Sequence, residues 1–191
     1  KNSIAEIREA IDFCRYYSKE ALNLFQTQTL KGPTGELNQY RMVGKGLSFV
    51  VSPWNFPVAI FIGQTVAALI TGNVVITKPA EQSSFAAYYI IKLLLKAGLP
   101  SNAIALLLGD GALIGKKVIN DKKLKNVIFT GSLETAKIIQ SNLQQKENIP
   151  TFIAETGGLN CMIVDTSALT EHVVKDVVNS GFDSAGQRCS A

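Results

Sequence analysis

Leu47-Ser48-Phe49-Val50-Val51-Ser52-Pro53-Trp54-Asn55-Phe56-Pro57 decides the fold of this 191-residue chain. Its first five residues are almost continuously apolar, with none of the alternation of a half-exposed strand. Pro57 then suits the first turn of a helix, and the apolar run continues to Ile70. Gly72-Asn73 reads as a helix stop, and Val74 to Lys78 as a second continuous strand. Strand, helix and strand of this kind predict a parallel sheet covered on both faces. The alternation continues: Ser83 or Ser84 caps a helix that runs to Ala97 and stops at Gly98-Leu99-Pro100. Ile104 to Leu108 is a strand, Ala112 to Ile119 a helix and Val127 to Phe129 a strand. Ser132 caps a helix to about Gln144. Phe152 to Ala154 and Met162 to Val164 follow as short strands. A last helix, Glu171 to Asp183, has Ser167 or Thr170 as its cap and leads to Cys189.

Upstream, Ser3-Ile4-Ala5-Glu6 is a capping box opening an amphipathic helix that ends near Phe25. Ile4, Ile7, Ile11, Cys14, Ala21, Leu22 and Phe25 fall near one face, with Cys14 in a packing role. Gln26 to Gly35 reads as a loop. Glu36 to Val43 and Leu47 to Ser52, split by Gly44-Lys45-Gly46, predict a hairpin arm feeding a core strand. The expected organisation is a helix and arm over 1–46 and an α/β domain over 47–191.

Hydrophobic residues make up 47% and charged residues 18%, which marks a globular chain. The net charge of +4 is mild, and the lysines at 116, 117, 122, 123 and 125 read as a solvated face, without the aromatic interleaving of a nucleic-acid surface. Three widely spaced cysteines point to a reducing compartment, hence the cytoplasm, over a disulfide framework. One histidine and scattered cysteines exclude a zinc site of usual spacing, so no metal is expected. The apolar run Val58 to Ile76 is broken by Gln64, Thr65, Thr71, Gly72 and Asn73, which favours a buried helix and strand over a membrane span. No signal peptide is visible, and a start at Lys1 without Met reads as an excised piece.

Ligands of parallel sheets bind at the carboxyl ends of the strands, and those ends carry unusual residues here. Asn55, between prolines, offers a fixed amide donor for an oxyanion; otherwise it is an ordinary Asn turn. Lys78-Pro79-Ala80-Glu81 places an ammonium and a carboxylate where they could grip ribose hydroxyls, or it is a solvated turn. Gly109-Asp110-Gly111 with Gly115 has its last glycine one place late for a dinucleotide fingerprint; Gly109 would let an adenine approach. Thr130-Gly131-Ser132 opens a helix whose N-terminus would seat a pyrophosphate. Glu155, leaving a strand into Gly157-Gly158, is a candidate base for a water. Gly186-Gln187-Arg188-Cys189-Ser190-Ala191 supplies a thiol beside an arginine. Either it is a spectator or it is a nucleophile. His172, in the first turn of its helix, is poorly placed as its base, so a carboxylate is expected in that role.

The set PWNFP, KPAEQ, FTGS, ETGG-x-N and GQRCSA, in this order and spacing, resembles the aldehyde dehydrogenase superfamily over essentially the whole chain. The segments around Phe13-Cys14-Arg15, Ala154 to Asn160 and Phe182 to Ala191 resemble the pyrroline-5-carboxylate (glutamate semialdehyde) dehydrogenase modules of bifunctional proline-utilisation enzymes. The resemblance implies a Rossmann-like parallel sheet with helices on both faces, NAD as cofactor and an aldehyde as substrate. It implies that Cys189 attacks the aldehyde carbon, that Asn55 and the Cys189 N–H hold the oxyanion, and that Glu155 activates the hydrolytic water. Lys78 and Glu81 would bind the adenosine ribose. Trp54, Gly109, Gly131 and Ser132 would line the cofactor, with Ser132 on the pyrophosphate. Arg188 and Ser190 would contact the substrate carboxylate, and Phe56 its aliphatic stem. Glu81 would disfavour a 2′-phosphate and so select NAD over NADP.

Ala136 stands where many aldehyde dehydrogenases have glycine. The resemblance also implies a catalytic half beyond Ala191, so this stretch alone is expected to be inactive. A fused proline dehydrogenase or DNA-binding domain before Lys1 and a homo-oligomer built through the Glu36–Val43 arm are further expectations. The alternatives are a dehydrogenase for another carboxylated aldehyde, such as succinate semialdehyde, and a non-catalytic nucleotide-binding or oligomerisation module.

Overall fold

The computed structural model describes residues 2–191. Its centre is a five-stranded parallel sheet formed by β3 (Leu47–Val51), β4 (Val74–Lys78), β5 (Ile104–Leu106), β6 (Leu124–Gly131) and β7 (Thr151–Thr156). The spatial order is β5-β4-β3-β6-β7. The first strand of the sheet therefore sits in the middle, with β4 and β5 added on one side and β6 and β7 on the other. The winding direction reverses between β3 and β6, and that switch point opens a crevice at the carboxyl ends of the strands.

Helices cover both faces, as the unbroken apolar strands require. On one side Phe49, Val127 and Phe129 pack with Val118 and Ile119 of α4 (Gly111–Ile119) and with Ala136, Ile139 and Leu143 of α5 (Leu133–Gln144). On the other, Val50 and Val75 meet Ala68 of α2 (Ala59–Ile70), while Phe61 meets Ala87 and Ile91 of α3 (Ser84–Lys96). Burial of each Val, Leu, Ile or Phe among them contributes about 1.5–3 kcal/mol. The Gly72-Asn73 stop is present: Gly72 takes φ +81, and the Asn73 side chain donates to Ala68 O at 3.0 Å. Ser132 caps α5 by accepting from Thr135 N at 3.2 Å.

Helix α1 (Asn2–Leu24) lies along α2. Its inward line runs through Glu6, Ala10, Phe13 and Tyr17, while Ile4 is 61% and Leu22 74% exposed. The expected apolar face is thus only partly inward: Cys14, Ala21 and Phe25 are half-buried, whereas Ile4, Ile7, Ile11 and Leu22 are exposed, because the aromatic rings and the small Ala10 fit α2 better than the isoleucines. The Phe13 ring is so close to α2 that a Cβ on Gly63 would fall 2.9 Å from it. The capping box at Ser3 and Glu6 is not formed. The helix is already under way at Asn2, and the Glu6 carboxylate instead accepts from Val58 N at 2.7 Å and Ala59 N at 3.2 Å. It caps α2, whose own cap position, Val58, has no side-chain acceptor.

Other expectations are corrected. The hairpin is made by β1 (Gln28–Leu30) and β2 (Asn38–Tyr40), so part of the expected loop is a strand and Leu47–Val51 belongs to the core sheet. β6 and β7 are longer than expected, because their polar ends still pair in register through Gly131 and Thr156. β5 stops at Leu106. Neither Ser83 nor Ser84 caps α3 by its side chain; Ser84 Oγ donates to Glu81 O in the preceding 3-10 turn. α6 (Thr170–Phe182) begins after Leu169 with no side-chain cap, so Ser167 and Thr170 do not serve there. Met162 to Val164 forms no strand: β7 is the sheet edge, the segment pairs with nothing, and Ile163 is 91% exposed.

Candidate active site

The carboxyl ends of the strands enclose one cleft of about 970 Å³. Pro53, Trp54 and Asn55 reach it from β3, Lys78 and Glu81 from β4, Gly131 and Ser132 from β6, Glu155 from β7, and Arg188 and Cys189 from the turn after α6. Gly109, Phe56 and Ser190 do not line it.

The floor of the cleft is laced by a side chain that sequence reasoning passed over. Gln64 of α2 accepts from Ser52 Oγ at 3.3 Å, and its Nε2 donates to Thr130 Oγ1 at 2.5 Å. One carboxamide thus spans the switch point and joins the ends of β3 and β6. The signal was present as a polar residue on an apolar helix, which read only as an interruption of a membrane span.

On the β4 side the Lys78 ammonium, on a side chain only 5% exposed, is 2.7 Å from Glu81 Oε1. The hydrogen bond from Lys78 holds the Glu81 carboxyl below its ordinary range, helped by backbone N–H groups that include Gly111. A Cβ on Gly111 would come within 3.3 Å of Lys78 Nζ, so glycine keeps this corner open. On the β6 side a Cβ on Gly131 would lie 2.6 Å from the Phe129 ring. The chain therefore turns into α5 closely over a buried aromatic, and the helix N-terminus borders the cleft. The cleft continues between α4 and α5, past Gly115, Lys116, Ile138 and Asn142, a branch that no motif announced.

The thiol lines the same cleft. Cys189 is exposed in a turn that follows two residues with positive φ, Ser184 at +54 and Ala185 at +55. The Asn55 amide donates to Gln187 O at 2.9 Å, Ser180 Oγ donates to Ser190 O at 3.3 Å, and Arg188 Nη1 is 3.8 Å from Asp183 Oδ2. Asn160, beyond the two glycines after Glu155, donates to Cys189 O at 2.5 Å and to Ala191 O at 3.1 Å. Among the described residues no carboxylate, thiol and imidazole cluster could hold a metal ion. The chemistry on offer is that of a thiol nucleophile, an amide donor and a carboxylate in one cleft, with a separate ammonium–carboxylate corner and a helix N-terminus suited to a dinucleotide.

The profile of the aldehyde dehydrogenase family matches residues 1–191. The chain belongs to the aldehyde dehydrogenase family. Within it, the chain is 48% identical over 195 residues to bifunctional protein PutA of Escherichia coli, covering 100% of this chain and 14% of the relative. It is 36% identical over 198 residues to 1-pyrroline-5-carboxylate dehydrogenase of Bacillus subtilis, covering 100% of this chain and 38% of that enzyme. Proline utilization A of Bradyrhizobium japonicum, solved as a variant, superposes with a TM-score of 0.95 at 47% identity, over 100% of this chain and 20% of its own. An NADP-dependent glyceraldehyde-3-phosphate dehydrogenase of Bacillus halodurans, solved with NADP, superposes at 0.87 with 30% identity, over 99% of this chain and 40% of its own. The chain thus spans a minor part of each relative. No described helix is long and apolar enough to cross a membrane.

Proposed function

We propose that this chain carries the cofactor-binding and nucleophile-bearing part of a nicotinamide-dependent dehydrogenase that oxidises L-glutamate γ-semialdehyde to glutamate in proline breakdown. The observation that carries this reading is the meeting of Cys189, Asn55 and Glu155 with the Lys78–Glu81 corner in a single cleft. The names of the PutA and 1-pyrroline-5-carboxylate dehydrogenase relatives support the substrate.

The residues fit a dinucleotide. Gly111 leaves open the space beside Lys78 and Glu81 that a side chain would fill, and the start of α5 lies at the cleft. Lys78 and Glu81 would hold the adenosine ribose, Ser132 and the first N–H groups of α5 the pyrophosphate, with Trp54 and Gly131 beside them. Glu81 keeps its charge down to low pH, which disfavours a 2′-phosphate and selects NAD over NADP. When bound, the nicotinamide supplies the hydride acceptor that takes a thiohemiacetal to a thioester.

The protein's own steps are these. The Cys189 thiol gives up its proton to solvent, and the sulfur pair bonds to the aldehyde carbon while the carbonyl π pair moves onto oxygen. The Asn55 amide and the Cys189 N–H donate to that oxyanion, and no other described group accepts from this N–H. For Asn55 this means exchanging its present partner, Gln187 O, for the oxyanion. Glu155 then takes a proton from water as the water oxygen attacks the thioester carbon. The carbon–sulfur bond breaks, giving the carboxylate product and the free thiol. Arg188 would pair with the substrate carboxylate in place of its long contact to Asp183, whereas Ser190 and Phe56, which stand outside the cleft, are given no substrate contact. Three free cysteines support a cytoplasmic location. In the intact protein we assign the β1–β2 hairpin to a homo-oligomer contact and a fused proline dehydrogenase as source of the substrate.

The test is NADH formation from glutamate semialdehyde by the full-length protein, with succinate semialdehyde as competitor. Loss of the signal in Cys189→Ala supports the reading. Unchanged turnover in that variant, or a preference for succinate semialdehyde that Arg188→Met leaves unaltered, would overturn it.

A further inference from the structure

The mechanism above leaves one group at the nucleophile unused. Asn160 sits in the irregular stretch between β7 and α6, is exposed, and belongs to none of the hydrophobic clusters. Yet both hydrogens of its carboxamide are spent on one target, the turn that carries the thiol: Nδ2 donates to Cys189 O at 2.5 Å and to Ala191 O at 3.1 Å.

We infer that Asn160 is a positioning residue that fixes the backbone of the nucleophile turn at the Cys189 and Ala191 carbonyls, distinct from the Gln187 carbonyl that Asn55 holds. Resting on the reading of Cys189 as nucleophile, the argument has three parts. First, a carbonyl bonded to a fixed donor sets ψ of its own residue, here Cys189, and so the direction in which the Cα–Cβ bond presents the sulfur. Second, none of the other grips among the described residues falls on the Cys189 carbonyl: Asn55 holds Gln187 O, Ser180 holds Ser190 O, and Arg188 makes a long contact to Asp183. The turn's internal bonds are Arg188 N to Gly186 O at 2.9 Å and Ala191 N to Arg188 O at 3.2 Å, and Cys189 N donates to neither strand nor helix. Third, the grips on it differ in kind. Asn55 must release Gln187 O when it turns to an oxyanion, whereas Asn160 has no second task. The Cys189 carbonyl therefore stays anchored while the Asn55 bond is exchanged. Asn160 also lies five residues beyond Glu155, so a single segment carries both the water-activating carboxylate and the tether of the thiol it serves.

The carboxamide is required as a double donor. Aspartate at this position has the same shape and offers two acceptors to two carbonyl oxygens, which repels where asparagine binds. The experiment compares Asn160→Ala and Asn160→Asp with the parent in the full-length protein, using kcat, the KM for NAD, and the rate at which iodoacetamide alkylates Cys189. Two ordinary hydrogen bonds acting on placement of the sulfur predict a fall of about tenfold or more in kcat and a clear fall in alkylation rate. Asn160→Asp should be at least as slow as Asn160→Ala, with the KM for NAD within about twofold of the parent in both. A merely structural role would lower cofactor binding and thermal stability together with kcat, and that pattern overturns the inference. So does alkylation at the parent rate in both variants. If Cys189→Ala abolishes turnover while both Asn160 variants match the parent, this inference fails and the assignment of the nucleophile stands. If Cys189→Ala retains turnover, the assignment itself fails.

Discussion

Asn55 Nδ2 lies 2.9 Å from Gln187 O, a bond that closes 132 residues of sequence and ties the turn after β3 to the turn bearing Cys189. The amide proposed for the oxyanion is therefore already bonded to the backbone two residues before Cys189. Replacement of Asn55 by Ala should lower kcat by about 10²–10³, the cost of removing one preorganised donor. The KM for NAD should stay near that of the parent. Steady-state kinetics on the full-length protein checks both values.

Glu81 and Lys78 predict a cofactor switch and a pH dependence. Glu81→Ala should raise the ratio of NADP to NAD turnover, measured with both cofactors at fixed aldehyde. Because the folded Glu81 carboxyl is held below its ordinary value by Lys78, its contribution to stability is present above the unfolded carboxylate pKa. That contribution disappears as pH falls through the lower folded value. The carboxylate is half exposed, so the effect should be small and should shrink further with added salt. Thermal melts from neutral to acid pH, compared with Glu81→Gln, would show a smaller acid-dependent loss in the variant.

Gly131 has no room for a methyl group, since its Cβ would stand 2.6 Å from the Phe129 ring, and that ring is buried in the core beneath α5. Gly131→Ala should destabilise the fold by about 1–3 kcal/mol, the usual cost of overpacking. It should also weaken cofactor binding, because the start of α5 must move. Chemical denaturation and a cofactor titration on the same preparation test the two effects together.

Glu6 predicts a remote stability effect. Its carboxylate is the only side-chain acceptor that the described residues provide for Val58 N and Ala59 N at the start of α2. Glu6→Ala should cost about 1 kcal/mol, and Glu6→Gln less, because an amide oxygen still accepts. Urea melts of the three proteins would order them.

The sheet was legible because Leu47–Val51, Val74–Lys78 and Ile104–Leu106 are continuous apolar runs between helices with clear stops. The strand ends stood out in the sequence because Asn55, Lys78, Ser132 and Glu155 are polar where the core pattern breaks off, and they line one cleft. Less legible were features decided by partners distant in sequence. Glu6 looked like a local cap and proved to cap α2, since only the packed pair brings it there. The face of α1 was misjudged because isoleucine and phenylalanine count alike in a periodicity, whereas fit against Gly63 chose Phe13. Met162–Val164 has a strand's composition but no neighbour to pair with. Gln64 carried no motif and Asn160 only closed the ETGG-x-N stretch, with no role suggested for it; the meeting of separate turns shows what their carboxamides grip.

The Gln64 bridge gives α2 an unexpected standing. One end of the helix is fastened by Glu6, its flank is pressed by Phe13, and its middle holds both lips of the crevice through Ser52 and Thr130. It works as a rigid strut between an outlying helix and the two turns where a cofactor and an aldehyde would meet. Loss of the Glu6 contact at Val58 is then felt in how far apart those lips stand, about 9 Å along the helix at Gln64 by the rise of about 1.5 Å per residue.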